Sequence, residues 1–204
     1  MALSRTDIVN QALHRVGAKR IMDLDDNDSI PARICKDLLD TTIQEVGRSH
    51  EWNCLKSRAD LAQLSDAPAF GWAYQYQLPT DFLKLVKLNG TLSDNDPGDE
   101  YEIEGRKILT DADVAQIQYI AFKTDTIEYD ALFIDAVVTL LAAKIAIPIR
   151  GGSYGEMAGS LKGEFEGVTL PKARKRDAAE RKRVRYDPAS ESRFIRSRFS
   201  STNG

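Results

Sequence analysis

The amino-acid sequence predicts an α+β protein: a bundle of about four helices, a β-rich insertion and an extended basic C-terminal tail. Three observations carry this. Apolar residues recur three and four positions apart near both ends of the body, as on helices. Between Glu51 and Lys123 the pattern changes to alternation and turn residues. Beyond Pro171 the composition turns strongly basic. A chain of 204 residues with 42 % hydrophobic residues fits one ordinary core with an insertion. The bundle is assigned to residues 1–50 and 124–185, the insertion to 51–123 and the tail to 186–204.

Ile8, Ala12 and Val16, with Val9 and Leu13 beside them, predict a helix over 6–16 that Gly17 stops. The acidic stretch Asp23 to Asp28 leads to Ser29, a good N-cap, with Pro31 tolerated in the first turn. Ile34, Cys35, Leu38, Leu39, Ile43 and Val46 form the stripe of a second helix ending near Gly47. Tyr74 and Tyr76 alternate with glutamines before Leu78-Pro79-Thr80-Asp81, a strand running into a turn. Tyr101 to Leu109 reads as a hairpin around Gly105, and Val114 to Phe122 as a further strand. Residues 93–99 are a loop by composition. Asp130 caps a long apolar helix over 131–147, which ends near Pro148. Asp135 and Lys144 interrupt it, each costing about 2.5–3.5 kcal/mol at a bilayer centre, so a buried helix is expected rather than a membrane span. The opening residues Met1 to Asp7 lack the apolar core of a secretory signal. Cys35 and Cys54 read as packing residues of a reducing compartment.

Glycine then recurs at every fourth position: Gly151, Gly155, Gly159, Gly163 and Gly167. Four-residue spacing lays small residues along one ridge of a helix. Tyr154, Met157, Leu161, Phe165 and Val168 are spaced as on one apolar face of the same helix. Each internal glycine costs about 1 kcal/mol relative to alanine. Such a helix is expected where neighbours, from the same chain or another copy, fill the bared groove. Gly155, Gly159, Gly163 and Gly167 are therefore candidate subunit-packing positions.

From Pro171 to Gly204 eleven Lys/Arg face four Asp/Glu, a local charge of +7; the other 17 basic and 27 acidic residues leave −10. Pairs such as Arg176–Glu180 and Asp177–Arg181, four apart, account for part of the run. They do not account for the apolar content of the end. Tyr186, Arg193, Phe194, Ile195, Arg196, Arg198 and Phe199 are candidate docking residues, because exposed aromatics beside cations suit an acidic pocket. A DNA-binding or other interaction module that uses the same basic tail is the alternative reading.

No catalytic set assembles from the sequence. His14 sits on a helix flank and His50 at a helix end, neither near Cys or His at zinc-ligand spacing. Asp23 to Asp28 opens like a calcium loop, but Asp28 stands where glycine is needed and Ile34 where the bidentate glutamate belongs. The glycines lack a following Gly-Lys-Ser/Thr, which excludes a phosphate loop. The connection between the first two helices is too long, and its region too acidic, for a helix-turn-helix. The expectation is a protein without catalysis and without a metal or other cofactor.

Several segments, taken in order, resemble the head-to-tail adaptor family of tailed bacteriophages, also called tail tubular protein A in short-tailed phages. They are residues 7–17 (Asp7-Ile-Val-Asn-Gln-Ala-Leu-His-Arg-Val-Gly17), 51–58 (Glu51-Trp-Asn-Cys-Leu-Lys-Ser-Arg58), 76–83 (Tyr76-Gln-Leu-Pro-Thr-Asp-Phe-Leu83), 101–109 and 119–125 (Tyr119-Ile-Ala-Phe-Lys-Thr-Asp125), the last running into Leu132, Phe133 and Leu140. The resemblance implies a structural virion protein at the head–tail junction, assembled in the host cytoplasm. It implies a homododecameric ring under the portal protein, seating a tail nozzle or other downstream tail protein, with genomic DNA passing through the channel and no membrane partner. The helical part is expected to form the ring, the insertion to face the tail and the C-terminal tail to reach the portal. The glycine ladder is denser than the family's equivalent helix is expected to be, and Pro171 lies within the same helix, so a helix that is kinked, or ordered only in the ring, is expected there.

Overall fold

Polar caps set the starts of the first three helices. The structure, a computed structural model, describes residues 3–90 and 98–180. The Ser4 side chain accepts from the Asp7 backbone N–H while the Asp7 carboxylate accepts from Ser4, a reciprocal capping box that opens α1 (Arg5–Arg15). Ser29 caps α2 (Ile30–Arg48) through the Ala32 N–H. Asp130 caps α3 (Ala131–Arg150) through the Leu132 and Phe133 N–H groups. After a short turn come α4 (Gly155–Glu164), a π-helical turn (Phe165–Thr169) and α5 (Leu170–Ala179).

α2 ends at Arg48, near Gly47 as expected, whereas the predicted end of α3 moves. A Cβ at Gly47 would lie 2.9 Å from Leu83 Cδ1 and 3.2 Å from Leu55 Cδ1, so this glycine serves close packing inside the helix. Pro148 does not end α3, which continues to Arg150. A proline in a last turn forfeits one intrahelical bond without another turn to disrupt, and Gly151, at φ +94°, closes the helix with its N–H on the Ile147 carbonyl.

α3 is the central helix. It is long and apolar enough to cross a membrane by length and composition, yet Phe133, Val137, Leu141 and Ile145 are fully enclosed within the bundle. They pack with Ile8, Leu13, Leu39 and Ile43 of α1 and α2 and with Leu161, Phe165 and Leu170 of the C-terminal helices. Trp52, fully buried, donates its indole N–H to the Val46 carbonyl at 2.8 Å and meets Phe133 edge-to-face.

Among the described residues the insertion contributes six strands in two antiparallel sheets. The first has the order β1 (Lys56–Asp60), β6 (Gln116–Ala121), β3 (Phe82–Leu88). The second has β2 (Tyr74–Gln77), β5 (Lys107–Thr110) and β4 (Glu102–Glu104), with the predicted Gly105 turn joining β4 to β5. The two faces of the first sheet serve two cores. Ile120 and Leu83 pack on the helices, whereas Ile117, Tyr119, Leu85 and Leu88 pack on Tyr76 and Ile108 of the second sheet and on Leu78, which follows β2.

Two register shifts in β3 make this possible. Between Phe82 and Lys84, and again between Leu85 and Lys87, two residues of β3 oppose one of β6. Leu83 and Val86 are the extra residues, and both pack on the bundle core. A bulge redirects side chains that strict alternation would place elsewhere. The described fold is therefore mixed helix and antiparallel sheet, as the α+β prediction requires.

Candidate assembly interface

The glycine-stepped stretch does form a helix, and its two sides differ. Its inward stripe is Tyr154, Ala158, Leu161, Phe165 and Thr169, then Leu170, Ala173 and Asp177; Leu161, Phe165 and Leu170 belong to the bundle core. Met157 and Val168, predicted on the apolar face, are instead 37 % and 61 % exposed. The turn geometry explains Val168. Over Phe165–Thr169 the backbone opens to π pitch, and the Leu170 N–H reaches back to the Phe165 carbonyl. One extra residue rotates everything beyond it by about 100° relative to an uninterrupted α-helix. Without it, Lys172 and Arg176 would turn toward the core; with it, Ala173 and Asp177 do. Pro171, next to the π turn, has no N–H to offer the α-helical ladder, so a local change of pitch there is expected.

On the outer side the glycines stand open. Gly159, Gly163 and Gly167 are exposed, Gly155 half-exposed, and a Cβ built at any of the four would meet nothing within 4 Å. Gly155 begins α4, and Gly167 lies in the π turn. The described part of the chain thus leaves the groove of this helix unfilled. Gly151, the first member of the ladder, is not helical; it closes α3.

The helix is held by polar clamps at two levels. Arg15 of α1 donates from Nη1 to Glu164 Oε1 at 3.0 Å and from Nη2 to Asp135 Oδ1 at 2.9 Å, joining α1, α3 and α4. Further along, Asp177 is 8 % exposed and accepts the Asn53 backbone N–H at 2.8 Å through Oδ1. Its own carbonyl accepts from Asn53 Nδ2 at 2.8 Å, and its Oδ2 lies 3.0 Å from His50 Nε2. His50, read from sequence as a surface or capping histidine, is part of this cluster and rests edge-on against Trp52. Among the described residues the Asp177 carboxylate meets His50 and Asn53; Arg181, which the spacing allows to pair with it, lies outside the described residues. Nothing local in the sequence pointed to this cluster, in which Asp177 lies more than a hundred residues from His50 and Asn53.

The outer faces are charged. Lys172, Lys175 and Arg176 are exposed on α5, and Glu156 and Glu166 on the glycine stretch. The tail candidates Tyr186, Arg193, Phe194, Ile195, Arg196, Arg198 and Phe199 lie outside the described residues, as does most of the predicted loop over 93–99.

Burial pushes the Cys35 thiol up to about 11 and the Cys54 thiol up to about 11, which keeps both protonated near neutrality. Among the described residues no group of three or more His, Cys, Asp or Glu could hold a metal ion. The Asp23–Asp28 loop instead turns on itself, Asp23 accepting the Asp25 N–H and Asp26 the Asp28 N–H, each at 3.0 Å. No family model matches the chain, and no curated protein matches it.

Proposed function

We propose that the protein is a structural head-to-tail adaptor of a tailed phage, a non-catalytic subunit whose copies form a ring between portal and tail and line the DNA channel. The observation that carries this reading is the open glycine row on a helix whose opposite side is tied into the bundle. A glycine in a helix interior is costly, about 1 kcal/mol each, and no described neighbour of the same chain uses the space. A second surface approaching closely would use it, and repetition of one such contact around a closed ring gives a symmetric assembly.

The five segments that resemble the adaptor family support the same reading through their structural roles. Residues 7–17 cover most of α1, from Asp7 of its capping box to Gly17 beyond its end; Asn10 within them holds Ile21 in place through two hydrogen bonds. Residues 51–58 contain Trp52 and lead into β1. Residues 76–83 and 119–125 meet where Asp81 accepts the Tyr119 hydroxyl at 3.2 Å. In this reading the basic C-terminal residues anchor to the portal by charge-assisted contacts and burial of Phe194, Ile195 and Phe199, and the acidic body limits attraction to the DNA in the channel.

The test is deletion of residues 186–204. The truncated chain is expected to keep the thermal transition of the full chain and to lose retention by immobilised portal. Undiminished retention would sink the tail assignment. Binding of duplex DNA by the full chain, weakening steeply with salt, would favour the nucleic-acid module instead.

A further inference from the structure

The glycine row stands open, and a second surface of the same chain carries charges in the complementary order. Met22 is 88 % exposed and stands between two charged groups of opposite sign. Lys19 and Arg20, both exposed, precede it; Asp23, Asp25, Asp26 and Asp28, all exposed, follow it. The segment is held in shape from below. Ile21 is fixed by Asn10, Leu24 is buried, and the two aspartate turns define the loop. One carboxylate, Asp25, is partly neutralised by Lys36 Nζ at 2.8 Å, which also lowers its pKa.

The outer face of the C-terminal helices has the complementary order. Exposed Glu156 lies near the start of the row, the open positions Gly159, Gly163 and Gly167 follow, and exposed Lys172, Lys175 and Arg176 lie beyond them. Glu166, near the end of the row, is 3.9 Å from Lys162. Among the described residues of one chain, Met22 is exposed while the row is empty.

We propose that the row of one copy receives the Lys19–Asp28 segment of the next, with Met22 over the glycines. Lys19 and Arg20 then lie toward Glu156, and the aspartates toward Lys172, Lys175 and Arg176. The contact is head-to-tail, since each copy offers one surface of each kind, and it can close a ring. An unbranched methionine side chain suits an irregular groove. The inference rests on the reading that copies of this chain touch one another, and names the two surfaces that do so.

The test is bismaleimide cross-linking of the full chain at its highest soluble concentration, with and without portal, alongside negative-stain images. A variant carrying both Met22→Cys and Gly163→Cys is expected to give a ladder of covalent oligomers, whereas either single variant stays monomeric. Native Cys35 and Cys54, held as thiols by burial, give the background. Lys175→Glu is expected to reduce the ladder several-fold and added Asp26→Lys to recover it. Cross-linked dimers from Gly163→Cys alone would overturn the proposal in favour of glycine rows facing each other. Rings in the images without a ladder would overturn the named contact and leave the ring reading standing. Chains that remain folded monomers under every condition, portal included, would overturn both.

Discussion

The ring nitrogen Nε2 of His50 lies 3.0 Å from Oδ2 of Asp177, tying the end of α2 to the last turn of α5 across 127 residues of sequence. Asn53 completes the junction with two hydrogen bonds to the same residue, one to its carboxylate and one to its carbonyl. The last described helix is thereby fixed where the chain enters the β-rich insertion.

Replacing Asp177 by alanine leaves the Asn53 N–H facing a gap. An unsatisfied buried polar group costs about 1–3 kcal/mol, so Asp177→Ala is expected to lower stability by that amount in urea unfolding. Asp177→Asn keeps an acceptor for the Asn53 N–H and is expected to cost less. Equal stability of all three chains would contradict the junction.

Gly163→Ala is expected to stabilise the isolated chain by about 1 kcal/mol. The position is helical, and the new methyl meets nothing within 4 Å. Gly47→Ala shares the propensity gain but presses on Leu83 and Leu55, so the gain is expected to be offset there. Thermal melts of the two variants read the difference directly. Gly159→Leu extends the test to the proposed assembly: the chain is expected to stay folded, and under the adaptor proposal to lose ring formation on the portal.

Leu83 lies in a strand yet belongs to the helical core. Leu83→Ala is expected to cost about 2–4 kcal/mol, as for other buried leucines, and to loosen the packing around Gly47. A loss confined to the insertion, with hydrogen exchange in α2 unchanged, would show that the bulge does not couple the two parts.

Alkali is expected to unfold the protein from about pH 9 upward. Burial raises Cys35 and Cys54 from 9.0 to about 11, and raises Tyr129 from 10.0 to about 12. Burial, reinforced by the Asp81 charge, raises Tyr119 likewise from 10.0 to about 12. The unfolded chain therefore releases these protons first. Their contribution is complete below the unfolded values and is lost as pH rises through the folded ones. Stability measured in urea between pH 8 and 12 is expected to fall monotonically, whereas an unchanged midpoint would contradict the burial of these groups.

The helices were legible because each faces one core, so a 3.6-residue stripe survives in α1, α2 and α3. The strands were legible where alternation survives, as in β2, β6 and the Gly105 hairpin. β1 was not: Lys56-Ser-Arg-Ala-Asp60 is a polar edge strand with little burial signal. β3 was not, because its two shifts let Leu83, Leu85, Val86 and Leu88 serve two cores and erase the period. The glycine row was visible as spacing, but its exposure was not. Gly47 illustrates the limit: a glycine near a helix end reads as a stop, while its actual role depends on Leu83, which the local sequence cannot supply. The π turn left one trace, Pro171. The His50–Asn53–Asp177 cluster left none, since a lone aspartate in a basic run has no local partner to announce it.

The pairing of β1 with β6 sets Lys56 opposite Ile120, so the excursion between the helices departs and returns at one place. An engineer could bridge that narrow doorway with a short loop and discard what lies beyond it. The remnant would be wounded, however: Leu83 and Ile120, which roof the helical part from the far side, would leave with the discarded piece. Any transplant onto this stem must therefore bring its own greasy lid.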